Sequence, residues 1–256
     1  MTLQAPCPLD APVSFYSFFA SGLNALLRSA GYQVIRLPAP GLNCRLRSIE
    51  RYGIDLVLDV GANVGQYALE LRAHGYRGRI LSFEPLPQAF AELAAAASGD
   101  PLWEVRNAAV GDAPGRLPIH VADNSVSSSL LPVTQASTDA APESRASRTV
   151  DVDVITLAET LEANAGARIL TKIDTQGFEW QVLQGSGESL RHSTLLDVEM
   201  SLQPLYEGQA LFDTVDPYII GKGFRRIGFD TGFWNRQTGE LLQVDGIYAR
   251  ANPQSI

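Results

Sequence analysis

Carboxylates end several apolar segments of this chain, and each stands just before a turn or a helical segment. Asp59 precedes a glycine-rich turn, Glu84 ends the next apolar segment, and Asp174 ends a later one. Because parallel strands end at one edge of a sheet, these side chains are expected to meet at that edge. Carboxylates grouped there can bind the polar groups of a nucleotide cofactor and can accept a proton during a reaction.

The turn after Asp59 indicates which cofactor is bound. Gly61 and Gly65 are separated by three residues, a spacing that does not match the Gly-x-Gly-x-x-Gly fingerprint of dinucleotide sites. A carboxylate at the mouth of the turn repels a pyrophosphate and attracts a cationic ligand. S-adenosylmethionine has a positive sulfonium and α-ammonium, and its carboxylate can lie against the backbone N–H groups at the start of the following helix. The turn therefore favours S-adenosylmethionine over NAD, with Asp59, Gly61, Asn63 and Gly65 holding its methionine part.

Two residues are expected at the nucleoside end of the cofactor. Glu84 ends the strand after the glycine helix, where an acidic side chain can accept hydrogen bonds from both ribose hydroxyls. It can equally cap the helix predicted from Pro87, and the two roles are compatible. Asn107 ends the third strand and is predicted near the adenine, although an ordinary strand-to-turn junction explains it as well.

The acceptor side is predicted around Asp174 and Glu199, which end two neighbouring strands. Methyl transfer from a sulfonium is an in-line displacement, so aligning donor and acceptor supplies much of the rate gain. A hydroxyl acceptor must lose its proton to a base or to a bound metal as the new bond forms. Asp174 and Glu199 are therefore the candidates to position or deprotonate the acceptor. Glu179 could act with them, or could only stabilise the N-terminus of its own helix.

Several alternatives stay open at this centre. A divalent metal is one of them, because Asp and Glu residues without ligand spacing do not define a metal site. Asp197 is expected to be functional or to pair with an arginine such as Arg191. His120 and His192 are rival bases near predicted strand ends, but a lone histidine is more often structural than catalytic.

Composition limits the class of protein. The chain has 256 residues, 45% of them hydrophobic, which suits one α/β domain with additions. Its formal charge of -8 argues against a nucleic-acid surface and favours a small-molecule acceptor. Cys7 and Cys44 are too few for a disulfide framework or a zinc site, as expected in a reducing compartment. No apolar run approaches the roughly 18 residues of a membrane span, and no signal peptide is recognisable. A soluble, cytoplasmic protein is predicted.

The elements that must position these residues alternate between strand and helix from residue 55 to residue 110. Such alternation predicts a parallel sheet covered by helices on both faces. The third strand is predicted over 103–110 and an additional strand over 117–121. The serine-rich stretch at 123–147 is either a substrate-covering lid or a disordered insert.

Residues 1–52 are predicted to form an N-terminal helical extension. Its elements are an amphipathic helix over 14–29, a strand over 32–37 and a short helix over 42–52. The first helix is expected to pack on the core, on a partner subunit in a homodimer, or on a membrane surface. The main domain is then predicted over 53–250.

The motifs resemble, in chain order, those of the FkbM family of S-adenosylmethionine-dependent methyltransferases. They are Asp59-Val60-Gly61-Ala62-Asn63-Val64-Gly65, Phe83-Glu84-Pro85, Asn107-Ala108-Ala109-Val110-Gly111, Ser128-Ser129-Leu130, Lys172-Ile173-Asp174-Thr175-Gln176-Gly177-Phe178-Glu179, Val198-Glu199 and Val244-Asp245-Gly246. The resemblance implies a Rossmann-like class I methyltransferase fold, with a seven-stranded, mostly parallel sheet and a C-terminal antiparallel hairpin at 224–229 and 243–249.

The resemblance also implies O-methylation of a hydroxyl on a sugar, glycolipid or glycosylated natural product. The family's usual acidic residue in the fourth-strand motif is Gln176 here, which weakens a metal proposal that relies on that position. We therefore predict an S-adenosylmethionine-dependent O-methyltransferase. The alternatives are a nicotinamide-dependent reductase and a non-catalytic cofactor-binding scaffold.

Overall fold

The computed structural model describes residues 40–235 and 237–251. The helix predicted over 14–29 and the strand predicted over 32–37 lie outside the described residues. The last helix of the predicted extension is present as Pro40–Arg51 (α1). Its proline stands at the first helical position, where the missing N–H costs nothing. Leu42, Arg45 and Ile49 follow at helical spacing and are all buried, so they form the inner face of α1.

Seven strands form the main sheet, and the predicted glycine turn follows one of its inner strands. In chain order they are Leu56–Val60 (β1), Arg79–Phe83 (β2), Trp103–Arg106 (β3), Ile169–Ile173 (β7), Ser193–Ser201 (β8), Phe224–Thr231 (β9) and Gln243–Arg250 (β10). The spatial order is β3-β2-β1-β7-β8-β10-β9. The first five pair in parallel, whereas β10 runs antiparallel to both β8 and β9. The predicted mostly parallel sheet with a C-terminal antiparallel hairpin is confirmed.

Helices cover both faces of this sheet. They are Gln66–Ala73 (α2), Pro87–Ala97 (α3), Ala158–Ala163 (α5), Glu179–Ser186 (α6) and Phe212–Gly221 (α7). Leu56 and Leu58 of β1 pack in one core with α6 and α7, while Val57 packs on the opposite face with α2 and α3. Because side chains alternate along a strand, β1 is buried on both faces, as a central parallel strand must be.

The third strand differs from the prediction. The segment predicted as one strand over 103–110 is split, because β3 ends at Arg106 and Ala109–Val110 (β4) joins a second sheet. That sheet also contains Gly115–Ala122 (β5) and Ala146–Ile155 (β6), in the order β4-β6-β5. The side chain of Asn107 donates hydrogen bonds to the carbonyls of Glu84 and Pro85, and this holds the chain at the point where it leaves the main sheet.

The serine-rich stretch at 123–147 is structured rather than a featureless insert. It contains a short helix, Gln135–Ala140 (α4), and ends in β6, which the sequence analysis missed. Thr134 caps α4 by accepting a hydrogen bond from the backbone N–H of Ser137, and its own hydroxyl donates to the carbonyls of Pro204 and Leu205. The stretch is therefore tied to the loop after β8.

Candidate cofactor site and reaction centre

A cavity of about 450 Å³ lies at the carboxyl ends of β1, β2 and β7. This is the point where the strand order reverses, the usual ligand crevice of an open parallel sheet. Its wall contains residues from the glycine turn, the β2 end, the link to the second sheet, the β7 end and α1. Among them are Arg45, Gly61, Asn63, Tyr67, Glu84, Ala108, Ser129, Lys172, Asp174, Gln176 and Asp245.

The glycine turn is pressed against the end of β7. Gly61 has φ 83°, and a Cβ at this position would stand 1.8 Å from the backbone oxygen of Asp174. Gly65 has φ 93°, and a Cβ there would stand 2.9 Å from the ring of Trp103. Only glycine accepts both the left-handed backbone and this close approach. The turn and the β7 end thus form one continuous wall.

Glu84 connects the glycine turn to the start of α3. One carboxylate oxygen accepts a hydrogen bond from the backbone N–H of Asn63 at 2.9 Å, and the other accepts from that of Leu86 at 2.8 Å. Burial raises the pKa of Glu84 to about 7. The carboxylate has lone pairs beyond these two bonds and lies in the cavity wall. The helix-supporting role is thus visible, and the position is compatible with ribose recognition.

Asp59 lies behind the cavity wall rather than at its mouth. Its side chain is fully buried, and it is not among the residues that line the cavity. One oxygen accepts a hydrogen bond from the Ser82 hydroxyl at 3.1 Å, while the other stands 3.9 Å from the Lys172 ammonium. Burial raises the pKa of Asp59. Asp59 therefore contacts Lys172, which does line the cavity, and does not itself face the cavity.

Asp174 and Glu199 are brought together by Gln176. The Gln176 side-chain nitrogen donates to Asp174 at 2.8 Å and to Glu199 at 3.0 Å. Asp174 also accepts from the Lys172 ammonium at 3.0 Å, and its side chain is 31% exposed. Asp174 faces the cavity, whereas Glu199 lies behind it and accepts a second hydrogen bond from Gln243 at 2.7 Å. Burial and the charge of Asp174 raise the pKa of Glu199 well above its usual value.

Glu179 serves the turn that leads from β7 into α6. Its carboxylate accepts hydrogen bonds from the backbone N–H groups of Thr175 and Gly177 at 2.8 and 3.1 Å. Burial raises the pKa of Glu179 to about 7. Of the two roles considered for this residue, the structure supports stabilisation of its helix start.

Asp197 pairs with Arg45 and not with Arg191. The Arg45 side chain forms a short ion pair with Asp197, which also accepts a hydrogen bond from the Tyr67 hydroxyl at 3.2 Å. Arg191 pairs instead with Glu162 at 3.0 Å. No local sequence pattern indicates the Arg45 contact, because it depends on how α1 packs against the sheet.

Asn107 and the two histidines lie away from the cavity. Asn107 is exposed and fixes the loop after β2, whereas the neighbouring residues 108–110 line the cavity. His192 precedes β8, at the opposite edge of the sheet, and lies 3.2 Å from Glu162. His120 pairs with Ser129 through the backbone. Neither histidine is among the lining residues, so neither is placed to act as the base.

Tyr206 and Asp245 are site residues to which the sequence analysis gave no role. The Tyr206 hydroxyl donates to the side-chain oxygen of Gln176 at 2.9 Å, and the Ser129 hydroxyl donates to the Gln176 backbone oxygen at 2.6 Å. Asp245 lines the cavity, and burial together with the charge of Asp197 raises its pKa to about 7. The Val244-Asp245-Gly246 motif was the available signal for Asp245.

Within residues 40–235 and 237–251, no group of three or more His, Cys, Asp or Glu side chains is arranged to hold a metal ion. The amide nitrogen of Gln176 instead takes the position between Asp174 and Glu199. The same part of the chain contains no helix long and apolar enough to cross a membrane.

Solved structures with a related arrangement include several methyltransferases. Sp1610 of Streptococcus pneumoniae in complex with S-adenosylmethionine is 10% identical, with a TM-score of 0.46 over 83% of this chain and 74% of that one. Magnesium protoporphyrin IX methyltransferase of Synechocystis PCC 6803 is 11% identical, with a TM-score of 0.45 over 94% and 86%. These similarities are weak, and the fold assignment rests on the topology described above. No protein of curated function matches the chain by sequence.

The family match is more specific. The methyltransferase FkbM domain matches residues 59–226, which include the glycine turn, Glu84, Asp174 and Glu199. This range covers more than half of the chain. The match to a methyltransferase family contradicts the alternative of a nicotinamide-dependent reductase. S-adenosylmethionine is the cofactor of this family, the cavity at the end of β1 is its candidate site, and the chain belongs to the FkbM family of methyltransferases.

Proposed function

We propose that the protein is an O-methyltransferase that acts on a hydroxyl of a small molecule, namely a sugar, a glycolipid or a glycosylated natural product. The observation that carries the proposal is Asp174, a partly exposed carboxylate in the wall of the cofactor cavity. It is fixed on one side by Lys172 and on the other by Gln176. A carboxylate oriented in this way can accept a hydroxyl proton from an acceptor bound beside the cofactor.

The residues of the cavity wall support the following placement of the cofactor. Glu84 accepts hydrogen bonds from the ribose hydroxyls, and residues 108–110 lie along the adenine. Gly61, Asn63 and Gly65 form the turn beneath the methionine part, where the backbone can approach the ligand closely. Asp59 supports this region through Lys172.

The proton and methyl steps are coupled at Asp174. When bound, S-adenosylmethionine would supply the methyl carbon for an in-line displacement by the acceptor oxygen, and its sulfur would keep the electron pair of the broken bond. The hydroxyl proton passes to Asp174. Glu199 is a positioning residue in this scheme, because it orients the Gln176 amide that holds Asp174. Burial and the charge of Asp174 raise the pKa of Glu199 and so favour its neutral form, which limits charge repulsion with Asp174.

The acceptor side favours an uncharged, polar ligand. Ser128, Ser129 and Leu130 of the serine-rich stretch line the cavity opposite the glycine turn, so the stretch is a candidate substrate lid. The formal charge of -8 disfavours a polyanionic acceptor such as RNA. Because α1 brings Arg45 into the cavity wall, the proposed extension over 1–52 contributes to the site of the 53–250 domain.

Incubation with methyl-labelled S-adenosylmethionine and a panel of glycosides, glycolipids and glycosylated polyketides tests the acceptor class. We expect one methyl group per product, placed on oxygen by NMR, and one equivalent of S-adenosylhomocysteine. Control reactions contain tRNA or rRNA as acceptor. Methylation on nitrogen or carbon, or turnover with RNA alone, would contradict the proposal.

The ribose contact can be tested separately with Glu84→Gln. We expect an increase of about 10–100-fold in the dissociation constant of S-adenosylhomocysteine, because a charged hydrogen-bond acceptor is lost. The pKa of Glu84 is raised to about 7, so the ionised acceptor is present above that pH and is lost as the pH falls through it. Wild-type affinity should therefore decrease from pH 8 to pH 6, and the variant should lack most of this dependence.

Calorimetry over this pH range measures both effects. Glu92→Gln is the matched control, since Glu92 lies exposed on α3 and does not line the cofactor cavity. An unchanged dissociation constant in Glu84→Gln would show that Glu84 acts only on the turn and on α3.

A further inference from the structure

Arg45 is a buried cation in the wall of the cofactor cavity, and it comes from outside the segment that carries the family match. It lies on α1, whereas the match begins at residue 59. Its side chain is only 9% exposed, yet it lines the cavity. A buried guanidinium needs partners for its donors, because an unpaired buried charge is costly.

Most of the donors of Arg45 are unused. A guanidinium carries five N–H groups, and the Nε group bonds to Asp197. A terminal nitrogen stands 3.8 Å from Asp245, which is within ion-pair reach but too long for a hydrogen bond. Among the residues that the structure describes, the guanidinium makes no other hydrogen bond. The remaining donors are therefore available to a ligand in the cavity.

The surroundings of Arg45 indicate the chemical class of that ligand. Arg45 and Lys172 both lie against the ring of Tyr67, at 5.3 and 5.1 Å from its centre. Asp245 lines the same part of the cavity. An anion alone would be attracted by Arg45 and repelled by Asp245. A zwitterion, which carries a carboxylate beside an ammonium, matches both charges.

The cofactor supplies one such group, its amino-acid end. Glu84 and residues 108–110 take the nucleoside, so the methionine part extends towards Tyr67, which follows the glycine turn on α2. We propose that Arg45 binds the α-carboxylate of S-adenosylmethionine and that Asp245 faces the neighbouring α-ammonium. Asp197 holds the guanidinium in place before the cofactor arrives, and the Tyr67 hydroxyl donates a hydrogen bond to Asp197 in turn. This inference depends on the cofactor and not on the identity of the acceptor.

Three ligands separate carboxylate binding from the rest of the cofactor site. They are S-adenosylhomocysteine, its decarboxylated analogue and 5′-methylthioadenosine, which lacks the whole amino-acid part. With the wild-type protein, calorimetry should show a dissociation constant at least about tenfold higher for the decarboxylated analogue than for S-adenosylhomocysteine. Equal affinities would overturn the proposal without any mutation.

The variant is the double substitution Arg45→Gln with Asp197→Asn, which avoids leaving Asp197 as an unpaired buried charge. We expect S-adenosylhomocysteine to bind about 10–100-fold more weakly to this variant, with 5′-methylthioadenosine unchanged within about twofold. Arg45→Lys keeps a cation beside Asp197 but loses the planar guanidinium. It should therefore weaken the binding of S-adenosylhomocysteine less than the double substitution does, and it should leave the binding of 5′-methylthioadenosine unchanged. If the double variant does not fold, Arg45→Lys alone tests the proposal.

Arg47→Gln is the matched control, because Arg47 lies exposed on the same helix and bonds only to Asn43 among the described residues. It should leave all three affinities unchanged. An equal loss for S-adenosylhomocysteine and 5′-methylthioadenosine would show that Arg45 is structural. Unchanged affinity for both of these ligands, together with an increased KM for the acceptor, would show that Arg45 binds the acceptor instead. Either result overturns the proposal.

Discussion

Asp174→Asn should lower turnover by about 10²–10⁴-fold while changing cofactor affinity only a few-fold, because the substitution removes the general base and keeps the shape of the side chain. Lys172 donates to one oxygen of Asp174 and Gln176 donates to the other, and asparagine keeps one of these two acceptors. The charge that accepts the hydroxyl proton is lost. Single-turnover kinetics and calorimetry with S-adenosylhomocysteine measure the two quantities separately.

The matched control is Asp151→Asn, at an exposed position of β6. Treatment of the wild-type enzyme with a chelator, followed by added Mg²⁺, tests whether a metal shares the work of Asp174. If turnover survives Asp174→Asn within a few-fold and chelation has no effect, Asp174 is structural and Glu199 becomes the candidate base. A non-catalytic scaffold would show no turnover in either protein.

Gly61→Ala should destabilise the protein far more than Gly75→Ala. Both glycines have a left-handed backbone, with φ 83° and 94°, and an alanine there costs about 1–2 kcal/mol. A Cβ at Gly75 meets no described atom within 4 Å, whereas a Cβ at Gly61 would stand 1.8 Å from the Asp174 backbone oxygen. The turn and the end of β7 must then move apart, which adds about 1–3 kcal/mol or more.

Chemical denaturation of both variants measures this difference. Gly61→Ala should also weaken S-adenosylhomocysteine binding, since the displaced turn forms the floor beneath the methionine part. Gly75→Ala should bind as the wild type does. Equal losses of unfolding free energy in the two variants would show that the close approach at Gly61 relaxes without cost.

Local sequence patterns were sufficient to predict the central parallel strands and the ends of β1, β2 and β7, whereas β3 ends earlier than predicted and the C-terminal hairpin was implied by the family resemblance. The glycine turn, Glu84 and Asp174 each follow an apolar segment directly, and parallel topology brings such segment ends to one edge. The orientation of the Asp59 side chain depends on the alternation of side chains along β1 and not only on its position near the strand end. Side chains alternate along β1, and Asp59 shares the face of Val57, beside Lys172 of the neighbouring strand. Its carboxylate therefore turns into the protein instead of towards the edge.

Contacts between distant segments could not be predicted in the same way. Arg45 reaches the cavity only because α1 packs its inner face against the sheet, and no local motif specifies that packing. Tyr206 reaches Gln176 from the loop after β8, again without a local signal. The strand β6 had a signal in the alternation of Val150, Val152 and Val154, but the serine-rich stretch before it obscured where it begins.

The side chain of Gln176 has a consequence for the charge balance of the reaction centre. Its nitrogen satisfies two carboxylates, and its oxygen satisfies the Tyr206 hydroxyl. An amide offers two N–H donors and an acceptor oxygen at one end of a side chain and carries no charge. A glutamate here would bring a third acidic group towards Asp174 and Glu199, and the cluster would then need an added cation to remain compact. Gln176 thus joins Asp174 and Glu199 without adding a charge of its own, so its identity is a determinant of how strongly the centre depends on counterions.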